Sequence, residues 1–166
     1  MSAKIVIVND KDEVIGAKER SALASSDIYR VSALWIKNSR GDSLLAQRAF
    51  DKAHDPGLWG PAVAGTVDEG EDYDINIRKE AAEEIGLNDL KPQLGPKYRI
   101  KGDYDYFVQW YTVESDQPAS EFSIDPAEVA DIRWFSAADL KREMAEHPDK
   151  FLKTLWRSVE IFVDNK

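Results

Sequence analysis

Residues 65–87 read GTVDEGEDYDINIRKEAAEEIGL, and the fold and chemistry of the chain are most legible here. An α-helix turns about 100° per residue, so side chains at i, i+3 and i+4 share one face over about one turn. Glu80, Glu83 and Glu84 occupy those positions. On the opposite side Ile77, Ala81 and Ile85 form an i, i+4, i+8 apolar row that can dock on a sheet. Asp72 is the expected N-cap of a helix over 72–85. Asp74 adds negative charge to its first turn, and Gly86 stands where the helix should stop. Like charges at this spacing repel by about 0.2–0.5 kcal/mol per pair in an isolated helix. Water relieves that repulsion on an ordinary solvated face. A divalent cation relieves it too, because Mg²⁺ takes oxygen ligands and keeps waters that a phosphate can replace.

Working outward, residues 4–9 read as a strand, 10–12 as a turn and 13–17 as the partner strand. Residues 29–36 are rich in β-formers. The turn at 38–41 leads into 43–48, which predicts a hairpin. A loop is expected over 51–60, short strands over 63–67 and 98–100, and longer ones over 104–113 and 130–135. Tyr104, Tyr106, Trp110 and Tyr111 fit the two faces of one strand better than a base-binding platform. Ser136 is the expected cap of a helix over 137–146. Asp149 is the expected cap of a third helix, with Leu152, Leu155, Trp156, Val159 and Phe162 on its apolar stripe. Strands and helices without a βαβ rhythm predict an α+β fold, with 1–166 as a single domain.

The 166 residues are 43% hydrophobic and 32% charged, with no cysteine and a formal net charge of −9. The absence of cysteine excludes disulfides, thiolate metal sites and cysteine nucleophiles. The negative charge disfavours duplex nucleic acid and anionic membrane as partners. It still permits a small phosphate substrate, provided cations lie between carboxylates and phosphate oxygens. No signal peptide is read at the N-terminus and no run is long enough to span a bilayer, so a cytoplasmic location is expected. A two-fold homodimer is the base-rate expectation.

The quoted stretch resembles the Nudix box: glycine, five residues, Glu, seven residues, Arg-Glu, an apolar residue, any residue, Glu-Glu, any residue, Gly, apolar. Gly65, Glu71, Glu80, Ala81, Glu83, Glu84, Gly86 and Leu87 fall in register. Lys79 departs from it, standing where the family has arginine and lacking arginine's planar fork. The resemblance implies an α/β/α sandwich around a mixed sheet and cleavage of a diphosphate linkage by water. Its Mg²⁺ (or Mn²⁺) would be held by Glu80, Glu83 and Glu84, with the Ala64 carbonyl as a further ligand and Glu80 or Glu84 as the general base. Glu128 is the candidate for a later acidic ligand, with Glu121 behind it. Arg48 and Lys52 are candidates for binding a substrate phosphate.

Residues 9–16, 44–48 and 52–59 resemble the branch that contains isopentenyl diphosphate isomerase and its hydrolase-like relatives. Aligned on Pro56-Gly57-Leu58-Trp59, the isomerase cysteine falls on Ala64, and its histidine ligands fall on Thr66 and near Arg30. Alanine has no proton to exchange, and arginine and threonine are poor metal ligands. This favours a hydrolase. A nucleotide-sensing module without turnover is the alternative, with Lys79 as the feature in its favour, and an isomerase comes third. His54 and His147 read as surface residues, and Trp59 as a core anchor.

Overall fold

The computed structural model describes residues 3–164; residues 1, 2, 165 and 166 of the span expected as one domain lie outside the described residues. Strand β3 (Ile28–Lys37) organises the sheet. Along one edge it pairs in parallel with β8 (Asp105–Glu114), in register from Tyr29↔Tyr106 to Lys37↔Glu114. Three antiparallel partners succeed one another along its other edge. These are β1 (Lys4–Val8) at Tyr29, β6 (Val63–Thr66) from Val31 to Leu34, and β4 (Ser43–Arg48) at Ile36. Beyond them, β2 (Val14–Glu19) pairs with β1, while β5 (Trp59–Pro61) and β9 (Val129–Phe135) flank β4. Strand β7 (Gln93–Lys101) pairs with β8.

Both faces of β3 are covered, so its middle is a continuous apolar run. Leu34 and Ile36 face helix α1 (Tyr73–Ile85), packing with Ile77, Ala81 and Ile85, all fully buried. Ala33 and Trp35 face the other layer, α2 (Ala137–Glu146) and α3 (Leu155–Val159), through Leu140, Met144, Leu155, Val159 and Phe162. The result is an α/β/α sandwich around a mixed sheet, as expected. No described helix is long and apolar enough to cross a membrane.

The caps of the first two helices stand where the sequence put them. Asp72 accepts from the Ile75 N–H at 2.8 Å, and Ser136 accepts from the Asp139 N–H at 3.1 Å. Gly86 takes the left-handed conformation (φ 70°) that ends α1, and its N–H returns to the last-turn carbonyls. The third helix differs from expectation. Asp149 lies in a separate 3-10 turn, Pro148–Lys150, and α3 begins only at Leu155, after Thr154, with no side-chain cap. The intervening chain is pinned by the Leu152 N–H on the Trp59 carbonyl, and α3 widens into a π-type turn over Glu160–Asp164. Trp156 is correspondingly off the apolar stripe and half exposed. Strand β7 also extends well beyond the expected 98–100.

One buried cluster was not expected. Asp12, in the β1–β2 turn, takes Arg30 Nε at 2.7 Å, Lys97 Nζ at 2.7 Å and the Tyr73 hydroxyl at 2.9 Å. Its side chain is 5% exposed. Burial opposes the ionised carboxylate, but the bonds from Lys97, Arg30 and Tyr73 outweigh it and hold the pKa below its usual value. A depressed folded pKa gives stability that is complete above the unfolded value, about 3.9, and is lost as pH falls through the folded one. Asp12→Asn should cost about 2–3 kcal/mol at pH 7, by stranding two cations. Urea denaturation from pH 7 to 3 should show the gap to wild type narrowing at the acid end. A gap constant with pH would show that the carboxylate charge is not the source.

Candidate active site

The β6–α1 connection is built to bring one carboxylate against the backbone. Glu71 Oε1 accepts from the Asp68 N–H at 3.0 Å and from Asn76 Nδ2 at 3.1 Å. Asn76 is fully buried, receives the Ser32 hydroxyl and donates to the Thr66 carbonyl at 3.0 Å. Lys79 closes the ring, with Nζ 3.0 Å from Asp68, 2.7 Å from Glu71 and 3.8 Å from Glu80. Lysine thus bridges two acids of the loop as a point charge, without the bidentate fork of arginine. Glu71 itself has a structural task, holding the loop to the helix.

Gly65 on β6 lies directly against the Glu80 side chain of α1. A Cβ built there would lie 2.5 Å from Glu80 Cγ and 2.7 Å from its Cδ. Glycine is required because the Glu80 side chain occupies that space. Beside it, Glu84 shares a hydrogen bond with Glu80. Burial raises both carboxyls above their usual value. Glu84 is pushed up to about 9 by burial, by its bond to Glu80, and by the charges of Glu80 and Glu128. Glu83 lies on the same turn but is exposed.

A cavity of about 710 Å³ opens over this pair, and every candidate from the sequence except Glu121 lines it: Arg48, Lys52, Ala64, Glu80, Glu83, Glu84 and Glu128. Lys52 Nζ lies 2.5 Å from Glu128 Oε2, so the expected phosphate binder and the expected late acid form one ion pair. Backbone bonds place that pair. The Asp125 N–H donates to the Glu84 carbonyl at 2.9 Å, the Glu128 N–H to Asp125, and the Ala49 N–H to the Glu128 carbonyl. Arg48 Nε donates to the His54 carbonyl at 3.0 Å. Glu121 sits exposed on the 3-10 turn Ala119–Glu121, outside the cavity lining. His54 and His147 are both exposed, and Trp59 is a core anchor edge-on to Phe135. Arg30 is committed to Asp12, whereas Ala64 and Thr66 line the cavity.

The donors suit a hard dication: carboxylates in a concave site, two of them sharing a hydrogen bond. Among the described residues no three acidic or histidine side chains are yet gathered as a ligand set. Glu83 is exposed and Glu128 is paired with Lys52. The sequence reading missed Asn76, Asp68, Asp125 and Arg20. For Asn76 a signal existed, a polar residue beside the buried helix row. The other three have none in local sequence.

A mixed-sheet sandwich with a Gly-cradled glutamate pair on the helix that covers one face is the architecture that the box resemblance implies. The family model for the NUDIX domain matches residues 28–155, and the chain belongs to the Nudix family. It is 30% identical over 162 residues to an isopentenyl-diphosphate Delta-isomerase of Burkholderia multivorans, covering 94% of this chain and 89% of that one. It is 28% identical over 158 residues to the enzyme of that name from Enterobacter sp. (strain 638), covering 89% and 84%. Among solved structures, DR0079 from Deinococcus radiodurans matches with a TM-score of 0.81 at 24% identity, over 96% of this chain and 99% of that one. The MutT NUDIX hydrolase from Burkholderia pseudomallei matches at 0.65 and 20%, over 81% and 97%.

Gly65→Ala tests the cradle. Only a flexible side chain opposes the new methyl, so the fold should lose less than about 1.5 kcal/mol, while Glu80 is driven from its seat. Mn²⁺ affinity by calorimetry should fall about tenfold or more. Affinity equal to wild type would mean that Glu80's position is immaterial to the site. Lys79→Arg should keep thermal stability and activity within about threefold, whereas Lys79→Ala should lose about 1 kcal/mol by releasing Asp68 and Glu71.

Proposed function

We propose that the protein hydrolyses a diphosphate linkage in a nucleoside di- or triphosphate, or in a nucleoside diphosphate joined to another group. The observation that carries this reading is the half-buried Glu80–Glu84 pair, with Glu80 seated against Gly65, in one cavity with Arg48 and Lys52. Glu80, Glu83 and Glu84 would hold Mg²⁺ or Mn²⁺, with the Ala64 carbonyl and Glu128 as further donors. Bound there, such an ion would supply positive charge to polarise phosphoryl oxygens and to make an attacking water more acidic. The chain's own residues do the rest. Arg48 and Lys52 bind phosphate oxygens. Lys52 exchanges Glu128 for the substrate, releasing that carboxylate toward Glu84. The Glu80–Glu84 pair takes the proton of the attacking water as the phosphorus–oxygen bond breaks.

Isomerisation is the second reading, favoured by the names of the curated relatives. The residues oppose it: Ala64 has no exchangeable proton, Thr66 has no imidazole, and Arg30 is held by Asp12. A sensing module without turnover has Lys79 as the feature in its favour. Lys79 makes two close ion pairs, with Asp68 and Glu71 of the loop before α1, which speaks against that reading.

The test is phosphate release, coupled to a phosphatase, from a panel of nucleoside diphosphate compounds with Mg²⁺ or Mn²⁺. Turnover of at least one compound is expected, abolished by EDTA and reduced about 100-fold or more in Glu84→Gln. Isopentenyl diphosphate in D₂O should take up no deuterium. A panel without turnover, or an unaffected Glu84→Gln, would sink the hydrolase reading.

A further inference from the structure

Three stretches distant in sequence meet beside the cavity. Arg20, from the 3-10 turn Arg20–Ala22 after β2, and His54, from the loop between β4 and β5, both line it. Tyr104, in the turn between β7 and β8, joins His54. Its hydroxyl is 2.7 Å from His54 Nδ1, and the rings meet edge to face with centroids 5.3 Å apart. Next to them Tyr29 and Tyr106 stack at 5.4 Å, and Tyr29 lies within electrostatic reach of both Tyr104 and Arg20. Arg20 and His54 therefore converge on one group of tyrosines, while the carboxylate pair stands on α1.

The surroundings give this convergence a chemical meaning. Tyr104 is 45% exposed and His54 is exposed, so their contact owes little to core packing. An imidazole and a phenol offer flat π surfaces, and a guanidinium can lie over a ring or donate in its plane. This end is also coupled to the phosphate-binding residues. Arg48 donates to the His54 carbonyl, and Lys52 lies two residues away on the same loop. A ligand held by Arg48 and Lys52 would thus find ring surface at a fixed offset.

We propose that this end of the cavity is the subsite for a planar heteroaromatic ring carried by the diphosphate, a nucleobase, with His54 and Tyr104 as stacking surface and Arg20 as donor. The inference rests on the reading of the acidic end as the diphosphate site. It is tested by binding, which needs no turnover. Calorimetry with Mg²⁺ compares α,β-methylene nucleoside diphosphates with methylenebisphosphonate, which has no ring.

Wild type should bind the ring-bearing ligand about tenfold or more tightly than the ringless one, the range expected for one stacked base. His54→Ala and Tyr104→Ala should lose most of that preference and leave methylenebisphosphonate binding within about twofold. Tyr104→Phe, which keeps the ring and removes the bond to His54, should lose a smaller part. Because Tyr104 is exposed, this variant decides the matter if His54→Ala does not fold. No ring preference in wild type, equal weakening of both ligands, or no change in any variant overturns the subsite. Steady-state assays on the parent nucleotides keep the two readings apart. Ring-selective binding without cleavage would leave the subsite standing and remove the hydrolase. Cleavage with equal kcat/KM for ring-bearing and ringless diphosphates would do the reverse.

Discussion

Two carboxyl groups one helical turn apart, Glu80 and Glu84, are forced together in a concave site, and the surrounding structure is arranged to tolerate that. Burial and mutual repulsion both disfavour their ionised forms. Both carboxyls are accordingly held above their usual pKa, by burial first and, for Glu84, by the neighbouring charge of Glu80. The arrangement persists because α1 cannot move away. Ile77, Ala81 and Ile85 are fully buried against β3, β6 and their neighbours, so the acidic face is fixed by the apolar one.

The second requirement is that Glu80 approach the sheet closely. Gly65 provides the space, and the connection between Gly65 and α1 is held in place by polar bonds. Ser32, Asn76, Glu71, Lys79 and Asp68 form one chain of contacts from the sheet interior to the cavity rim. A buried polar network of this kind is tolerable only when its members are satisfied. Among the described residues no buried side-chain nitrogen or oxygen lacks a partner. The same network explains why lysine can stand at residue 79. What the loop requires there is a cation reaching two acids, and a flexible ammonium does this as well as a planar fork.

Much of this was legible because it is local. Periods of 3.6 and 2 located α1 and the strands, and Asp72, Gly86 and Ser136 declared themselves through chemistry confined to one helix turn. The failures are tertiary. Asp149 has the right type for a cap, but the Leu152 N–H is drawn to the Trp59 carbonyl and delays the helix. Asp12 falls in the expected turn over 10–12 and nothing local marks it as buried; Arg30, Tyr73 and Lys97, up to 85 positions away, converge on it. Lys52 and Glu128 were each named, but their pairing across 76 positions has no signature in either neighbourhood. The family resemblance supplied the box; the loops that surround it had to be seen.

The positions at which the sequence departs from the isomerase pattern it resembles lie on strands, Arg30 on β3 and Ala64 and Thr66 on β6. Arg30, where the alignment expects a ligand histidine, points into the Asp12 cluster and lies over the Tyr73 ring at 4.9 Å. It is therefore part of the bracing of α1's first turn against the β1–β2 turn. Restoring a histidine there would strand Asp12 and Lys97 at the same time as it supplied a ligand, so the change costs stability before it yields chemistry. Ala64 and Thr66, by contrast, already face the cavity and have no such second task. The cost of substitution is thus unequal across these positions. It is lowest where the residue touches only the cavity and highest at the one position that the fold has put to structural use.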